Sequence, residues 1–195
     1  GTNISLRSNN NSSSFLGNVT LTGLPHINNL YIDANNIKLQ TQYADLVKIA
    51  PSLKRIKNPN ISTLGNVKYQ GNFYGFLNDF NLYGFLQTSI GNIQTDINIK
   101  LNKNTIDEYD GKLSLKNFRL GNFLNDNSLG LIDGEVQLQG HGLNKNATAD
   151  LVMQLNRLDY HGYAYSNVFT NGKLNNNKYN GTVKVNDPNL QFQFN

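Results

Sequence analysis

Three histidines, two groups of carboxylates and scattered serines are the residues that could do chemistry, and their spacing argues against each in turn. A zinc hydrolase places two histidines one helical turn apart with a glutamate between them. His26, His141 and His161 lie far apart, and none stands at metal-ligand spacing from a carboxylate. His26 follows Pro25 in a loop and His141 lies between Gly140 and Gly142 in a turn, so both are expected at the surface. His161 sits in Asp159-Tyr160-His161-Gly162-Tyr163-Ala164-Tyr165, where aromatics so spaced are expected to cap a core. Asp107, Glu108 and Asp110 read as one crowded turn without the alternating ligands, central glycine and closing glutamate of a calcium loop. Asp126, Asp133 and Glu135 read the same way. No serine lies in a G-x-S-x-G elbow, and no glycine-rich run precedes a Lys-Ser or Lys-Thr pair. The carboxylate pair of a glycosidase meets only in space, and nothing singles one out. The chain is therefore expected to be non-enzymatic, with no metal and no cofactor.

Composition narrows the class. Hydrophobic residues make up 38% and charged residues 15%, both low for a globular domain. Asparagine supplies the missing polarity at about one residue in six, and it suits turns, where its side chain mimics a backbone turn. The net charge of +4 is not gathered into a stripe. Its densest group, Lys48, Lys54, Arg55 and Lys57, reads as a solvated face beside a helix, so no nucleic-acid partner is expected. Without cysteine there are neither disulfides nor thiolate ligands. Asn18-Val19-Thr20 and Asn146-Ala147-Thr148 match the glycosylation triplet by chance in so asparagine-rich a chain. No signal peptide and no long apolar run are present, and the chain is expected to be a portion of a longer exported protein whose targeting segment lies elsewhere.

The elements follow from a period of two. Apolar residues alternate with polar ones at Ile4 and Leu6, Val19 and Leu21, Leu30 and Ile32, Ile37 and Leu39, Val67, Tyr69 and Phe73, and Phe80 and Leu82. The pattern continues through Ile93, Ile97, Ile99 and Leu101, Leu113 and Leu115, Val136 and Leu138, Leu151, Met153 and Leu155, and Val183 and Val185, and it ends on Leu190, Phe192 and Phe194. Such alternation puts each set on one side of a pleated strand, giving antiparallel sheet with one dry and one wet face. Gly71, Gly84, Gly91, Gly111, Gly121, Gly140, Gly172 and Gly181 are expected between strands. Asn10-Asn11-Ser12-Ser13-Ser14 reads as a loop and Asn175-Asn176-Asn177 as a hairpin turn. A short helix is predicted near 42–50, with Tyr43, Leu46, Val47 and Ala50 on one face and Pro51 as its stop. A helical turn is predicted near 121–125. Strands opening "Gly, polar, apolar, polar, apolar" at Gly17, Gly111, Gly134 and Gly181 suggest repeated meander units. The whole of 1–195 reads as one segment of repetitive β architecture.

The C-terminal half carries a family texture: Leu120-Gly121-Asn122-Phe123-Leu124-Asn125-Asp126, Gly134-Glu135-Val136-Gln137-Leu138-Gln139-Gly140-His141-Gly142-Leu143, Ala147-Thr148-Ala149-Asp150-Leu151, and Asp187-Pro188-Asn189-Leu190. This resembles the translocation and assembly module TamB family of AsmA-like Gram-negative envelope proteins, in its Bacteroidetes-type versions. The resemblance implies a curved, antiparallel-rich meander sheet, taco-like in section, with an open apolar groove. It also implies a periplasmic location and an inner-membrane anchor elsewhere in the full-length protein. Roles in phospholipid transport and outer-membrane protein assembly follow from it, the latter through an assembly-type β-barrel contacted by a C-terminal part not found in this chain.

An apolar sheet face must be covered by another sheet, a helix or a ligand. One clear helix cannot cover about a dozen strands, so phospholipid acyl chains are the expected occupants. The expected groove lining comprises Val19, Leu21, Leu30, Ile32, Ile37, Leu39, Val67, Tyr69, Phe80, Leu82, Ile93, Ile97, Ile99, Leu113, Leu115, Val136, Leu138, Leu151, Met153, Leu155, Val183, Val185, Phe192 and Phe194. The alternative is a closed β-sandwich adhesion or glycan-binding module, in which Tyr160, Tyr163 and Tyr165 stack on sugars. A spacer, or an assembly factor binding client strands along its edge, is a third reading.

Overall fold

The computed structural model describes residues 1, 3–8, 12–26, 29–49, 53–54, 56–102, 105–142, 147–176 and 178–195. The alternating runs become strands paired with their neighbours in sequence, except that the runs at Ile32 and Ile37 merge into one strand and Tyr163–Asn175 forms a strand where no run is predicted: β1 Ile4–Arg7, β2 Ser14–Thr22, β3 Tyr31–Gln42, β4 Asn66–Phe76, β5 Asp79–Thr88 and β6 Gly91–Asn102. The second half continues with β7 Thr105–Arg119, β8 Leu129–His141, β9 Thr148–Tyr160, β10 Tyr163–Asn175, β11 Lys178–Asp187 and β12 Leu190–Phe194. They form one antiparallel meander sheet of twelve strands in sequence order, not closed into a barrel. Every strand among the described residues belongs to this one sheet, so the two packed sheets of the sandwich alternative are not seen among them. Among the described residues no helix is long and apolar enough to cross a membrane.

Register keeps one face apolar from edge to edge. A single row runs Leu6, Phe15, Leu39, Tyr69, Leu86, Ile93, Leu115, Gly134, Leu155, Val168, Val185 and Phe192, one residue from every strand. Bulges protect this arrangement. In β3 the inner residues switch from even to odd numbers between Ala34 and Ile37, where Asn36 takes a left-handed φ of 54°. In β7 the same device at Asn117, φ 51°, returns Phe118 to the face that Leu115 occupies. Asparagine tolerates this conformation better than other non-glycine residues, so the chain's asparagine bias serves strand interiors as well as turns.

Several glycines expected between strands lie within them instead. Gly71 faces Gly84, and Gly172 faces Gly181, as directly paired residues on the inner side. A Cβ on Gly71 would lie 2.3 Å from the Tyr83 carbonyl oxygen and 2.7 Å from the Gly84 Cα. Strands this close on the inner side bend the sheet toward that side. Curvature, together with Leu64, Leu120 and Phe123 of the short helices packed on the same cluster, explains how Ile132 and Leu155 reach 2% and 3% exposure without a second sheet.

Short helices close one end of the curved sheet. The helix predicted near 42–50 is α1, Tyr43–Ile49, which begins directly where β3 stops at Gln42. The turn predicted near 121–125 is α2, Leu120–Leu124, and a 3-10 helix at Ile61–Leu64 had no sequence signal. The Asn60 amide donates to the Phe123 carbonyl at 2.6 Å, the Ser89 amide to Leu64 at 2.9 Å and the Arg119 amide to Ile90 at 2.7 Å. Phe123 meets Phe118 edge-on at 5.4 Å, above the cluster of Ile90, Leu115, Phe118, Ile132 and Val136. Ala50, the Pro51 stop, Arg55, the loop residues Asn10 and Asn11, Leu143, Asn146 and Asn177 lie outside the described residues.

At the same end, Asp187 fastens the last strands. Its carboxylate accepts from the Asn189 amide at 3.0 Å, the Tyr163 hydroxyl at 2.7 Å, and the Ser166 amide and hydroxyl at 2.9 and 2.8 Å. Those donors hold its carboxyl well below the usual carboxylate range. A depressed folded-state value gives stability that is present above about pH 4 and lost as pH falls toward the folded value. Thermal melts of wild type and Asp187→Asn should differ by several degrees at pH 7 and converge progressively below pH 4. Gly71→Ala should lose about 1–3 kcal/mol in denaturant unfolding, the usual cost of overpacking.

Candidate functional site

The inner face of the sheet is lined by rows of mostly apolar residues. Beside the row already traced, a second runs Ile37, Gly71, Gly84, Thr95, Leu113, Val136, Met153, Thr170, Val183 and Phe194. A third contains Val19, Ala34, Phe73, Leu82, Ile97, Gly111, Leu138, Leu151, Gly172 and Gly181. The fourth, farthest from the helices, contains Leu21, Ile32, Gly75, Phe80, Ile99, Tyr109, Gly140, Ala149, Leu174 and Tyr179. Every residue of the expected lining falls in these rows except two. Val67 shares their face nearer the helices, and Leu30 precedes β3, half-buried, outside any strand.

Burial across this face is graded. Ile37, Val67, Tyr69, Leu115, Val136, Leu155 and Val185 are buried, whereas Leu21 and Phe194 are exposed at 46% and 65%. The remaining residues of the expected lining are half-buried, and no large side chain is fully sealed. The face is therefore packed through its middle, at Ile37, Tyr69, Tyr109, Leu115, Val136 and Leu155 alike, and most accessible at the β1–β2 and β11–β12 edges.

The polar atoms on this face are already engaged. Thr95 donates its hydroxyl to the Gly84 carbonyl at 3.2 Å, and Thr170 bonds to Tyr179 and to the Thr182 carbonyl. Across the four rows the only ionisable side chains are tyrosines, Tyr69, Tyr109 and Tyr179. Each sits beside a glycine. The Tyr69 hydroxyl donates to the Asn72 carbonyl at 2.7 Å and to the Tyr83 carbonyl at 3.2 Å, lying over the Gly71–Gly84 pair. The Tyr109 and Tyr179 hydroxyls come within 2.8 and 2.6 Å of where a Cβ would stand on Gly140 and Gly172. Tyrosine over inner-face glycine covers backbone that no side chain shields. For Tyr109 and Tyr179 the covered glycine lies on a neighbouring strand, so pairing rather than local sequence brings the two together.

The residues first considered for chemistry do not converge. His141 ends β8 on the outer surface rather than in a turn, and His161 occupies the β9–β10 turn with its ring 4.4 Å from Tyr160. Asp107, Glu108 and Asp110 lie along β7 rather than in a turn, with Glu108 paired to Lys100 at 3.3 Å. Asp126 accepts from Ser128, and Asp133, within β8, accepts from the Asn117 amide at the bulge. Tyr163 is bound by Asp187 and Asn189, while Tyr165 packs on the core, so neither is a free stacking platform. No group of three or more His, Asp or Glu is placed to hold a metal among the described residues.

Burial pushes the Tyr69 hydroxyl up from its ordinary value near 10 to about 12. The raised folded-state value means that its contribution to stability is complete below pH 10 and disappears as pH rises through 12. Tyr69→Phe should flatten the alkaline part of the stability profile between pH 10 and 12, read by denaturant unfolding at each pH. Comparison with protein-family models, curated proteins and solved structures returned no match to this chain.

Proposed function

We propose that this chain is a non-enzymatic segment of an envelope-biogenesis protein whose inner face shields or conducts phospholipid acyl chains between the inner and outer membranes. The observation that carries this reading is the pattern of four apolar rows, free of carboxylates, amines and imidazoles, whose side chains remain mostly half-buried. A face of this kind is incompletely covered by its own chain and suits a ligand with no polar groups along its length. The TamB-like texture of the C-terminal half agrees with it, and carries with it a periplasmic location and a role in outer-membrane protein assembly through a β-barrel partner.

The energetics fit transit rather than storage. Each methylene moved from water to an apolar surface gains about 0.8 kcal/mol, so a sixteen-carbon chain gains on the order of 10 kcal/mol before entropy losses. A bilayer offers the same gain per methylene. Exchange between membrane and groove is thus close to neutral, and the headgroup can stay in water at the open side.

Ile97 decides the matter experimentally. It lies half-buried in the middle of the third row, between Leu82 and Gly111. Native mass spectrometry of gently purified wild-type protein should reveal bound phospholipid, and Ile97→Glu should reduce that fraction at least tenfold. Asn98→Glu, on the opposite face of the same strand, should leave it unchanged. Lipid-free wild-type protein, or equal lipid in the Ile97 variant, would refute the assignment.

A further inference from the structure

The outer face is polar over most of its extent, but β3, β4 and β5 break the rule. Tyr31, Phe76, Tyr83 and Phe85 are exposed there at 39%, 41%, 49% and 41%. Tyr31 and Phe76 meet edge-on at 5.3 Å. Tyr83 and Phe85 stand two residues apart on β5, at the margin of a depression of about 520 Å³ over the Gly71–Gly84 pair. Residues 71 and 84 face the other side of the sheet, so only backbone floors the depression between the rings and the flanking Gln70, Asn72 and Gln94.

Three of the four ladder neighbours of the two rings are amides. Register places Phe85 directly between Gln70 and Gln94, and Tyr83 between Asn72 and Asp96. Gln70 and Gln94 form no side-chain hydrogen bond among the described residues, so their donors and acceptors are available. Asn72 uses its carbonyl oxygen to accept the Asn36 amide at 3.1 Å, which fixes the side chain and leaves its amino group to donate. Asp96 lies opposite Lys112 in the ladder, and Lys38 adds one positive charge nearby, so the site has no strong field of either sign.

From this arrangement we infer that the outer face of β3–β5 is a binding site for a neutral oligosaccharide. A pyranose has an apolar face of C–H groups and a rim of hydroxyls that both donate and accept. The negative faces of Phe85 and Tyr83 attract the C–H side. Amides carry a donor and an acceptor in one group and match the rim, as neither a lysine nor a carboxylate alone does. Rings at two-residue spacing lie about 7 Å apart along a strand, so successive sugar units can each meet a ring. The site is on the opposite side of the sheet from the lipid-shielding face, and the two can be occupied together.

Saturation-transfer NMR with cellohexaose, maltohexaose, mannohexaose and chitohexaose at millimolar concentration tests the inference on the intact chain. Wild-type protein should transfer saturation to the C–H protons of at least one of these sugars. Tyr83→Ser and Phe85→Ser should each weaken that binding about tenfold, with unchanged melting temperature because both rings are exposed. Tyr160→Ser, exposed elsewhere, should bind as wild type. Absence of transfer from all four sugars, or undiminished binding by Phe85→Ser, overturns the assignment. So does self-association that Phe85→Ser abolishes without any sugar binding, since the rings would then serve contact between copies.

Discussion

A sheet of one layer has to solve a problem that two-layered folds avoid: its apolar face has no partner layer. Everything distinctive about this molecule follows from that constraint. The strands are kept in a register that holds one face apolar across twelve strands, because one slipped residue would send a whole strand's apolar set into water. The sheet then curves around that face, and curvature takes the place of a second layer.

Curvature needs room on the inner side, and glycine provides it. The pairs Gly71–Gly84 and Gly172–Gly181 let neighbouring backbones approach on the inner side more closely than any side chain would permit. The exposed backbone this leaves is covered by tyrosine hydroxyls, which satisfies polar groups that would otherwise face apolar surroundings. Bulges at Asn36 and Asn117 add local twist without disturbing the face. Bending, covering and twisting are thus separate jobs given to three residue types.

The same economy shapes the two surfaces. Under α2 and the 3-10 helix the inner face is nearly sealed, while at the outermost strands Leu6, Leu21 and Phe194 stay exposed. The proposed lipid-shielding role needs such uncovered positions, because a ligand can enter only where the chain has not covered itself. On the outer side, the depression beside Tyr83 and Phe85 is bordered by the amides of Gln70, Asn72 and Gln94.

The all-β class and most of the apolar face were legible in the sequence, because alternation is a local property and survives whatever the strands later pair with, though β10 carried no alternating run. Ile97, Val136 and Leu155 could be assigned to one face from their neighbours alone. Both short helices were legible for the same reason, from spacing within a single segment. What the sequence could not settle was long-range. Whether Ile32 and Ile37 belong to one strand depends on a bulge at Asn36, whose left-handed backbone is dictated by pairing with β4. Gly71 and Gly84 resemble turn residues until register sets them opposite each other. The Asp187 clasp joins donors more than twenty residues apart, which only the β9–β10–β11 ladder brings together. Periodicity is written residue by residue, whereas register and curvature are sums over many strands, and only the folded sheet performs that sum.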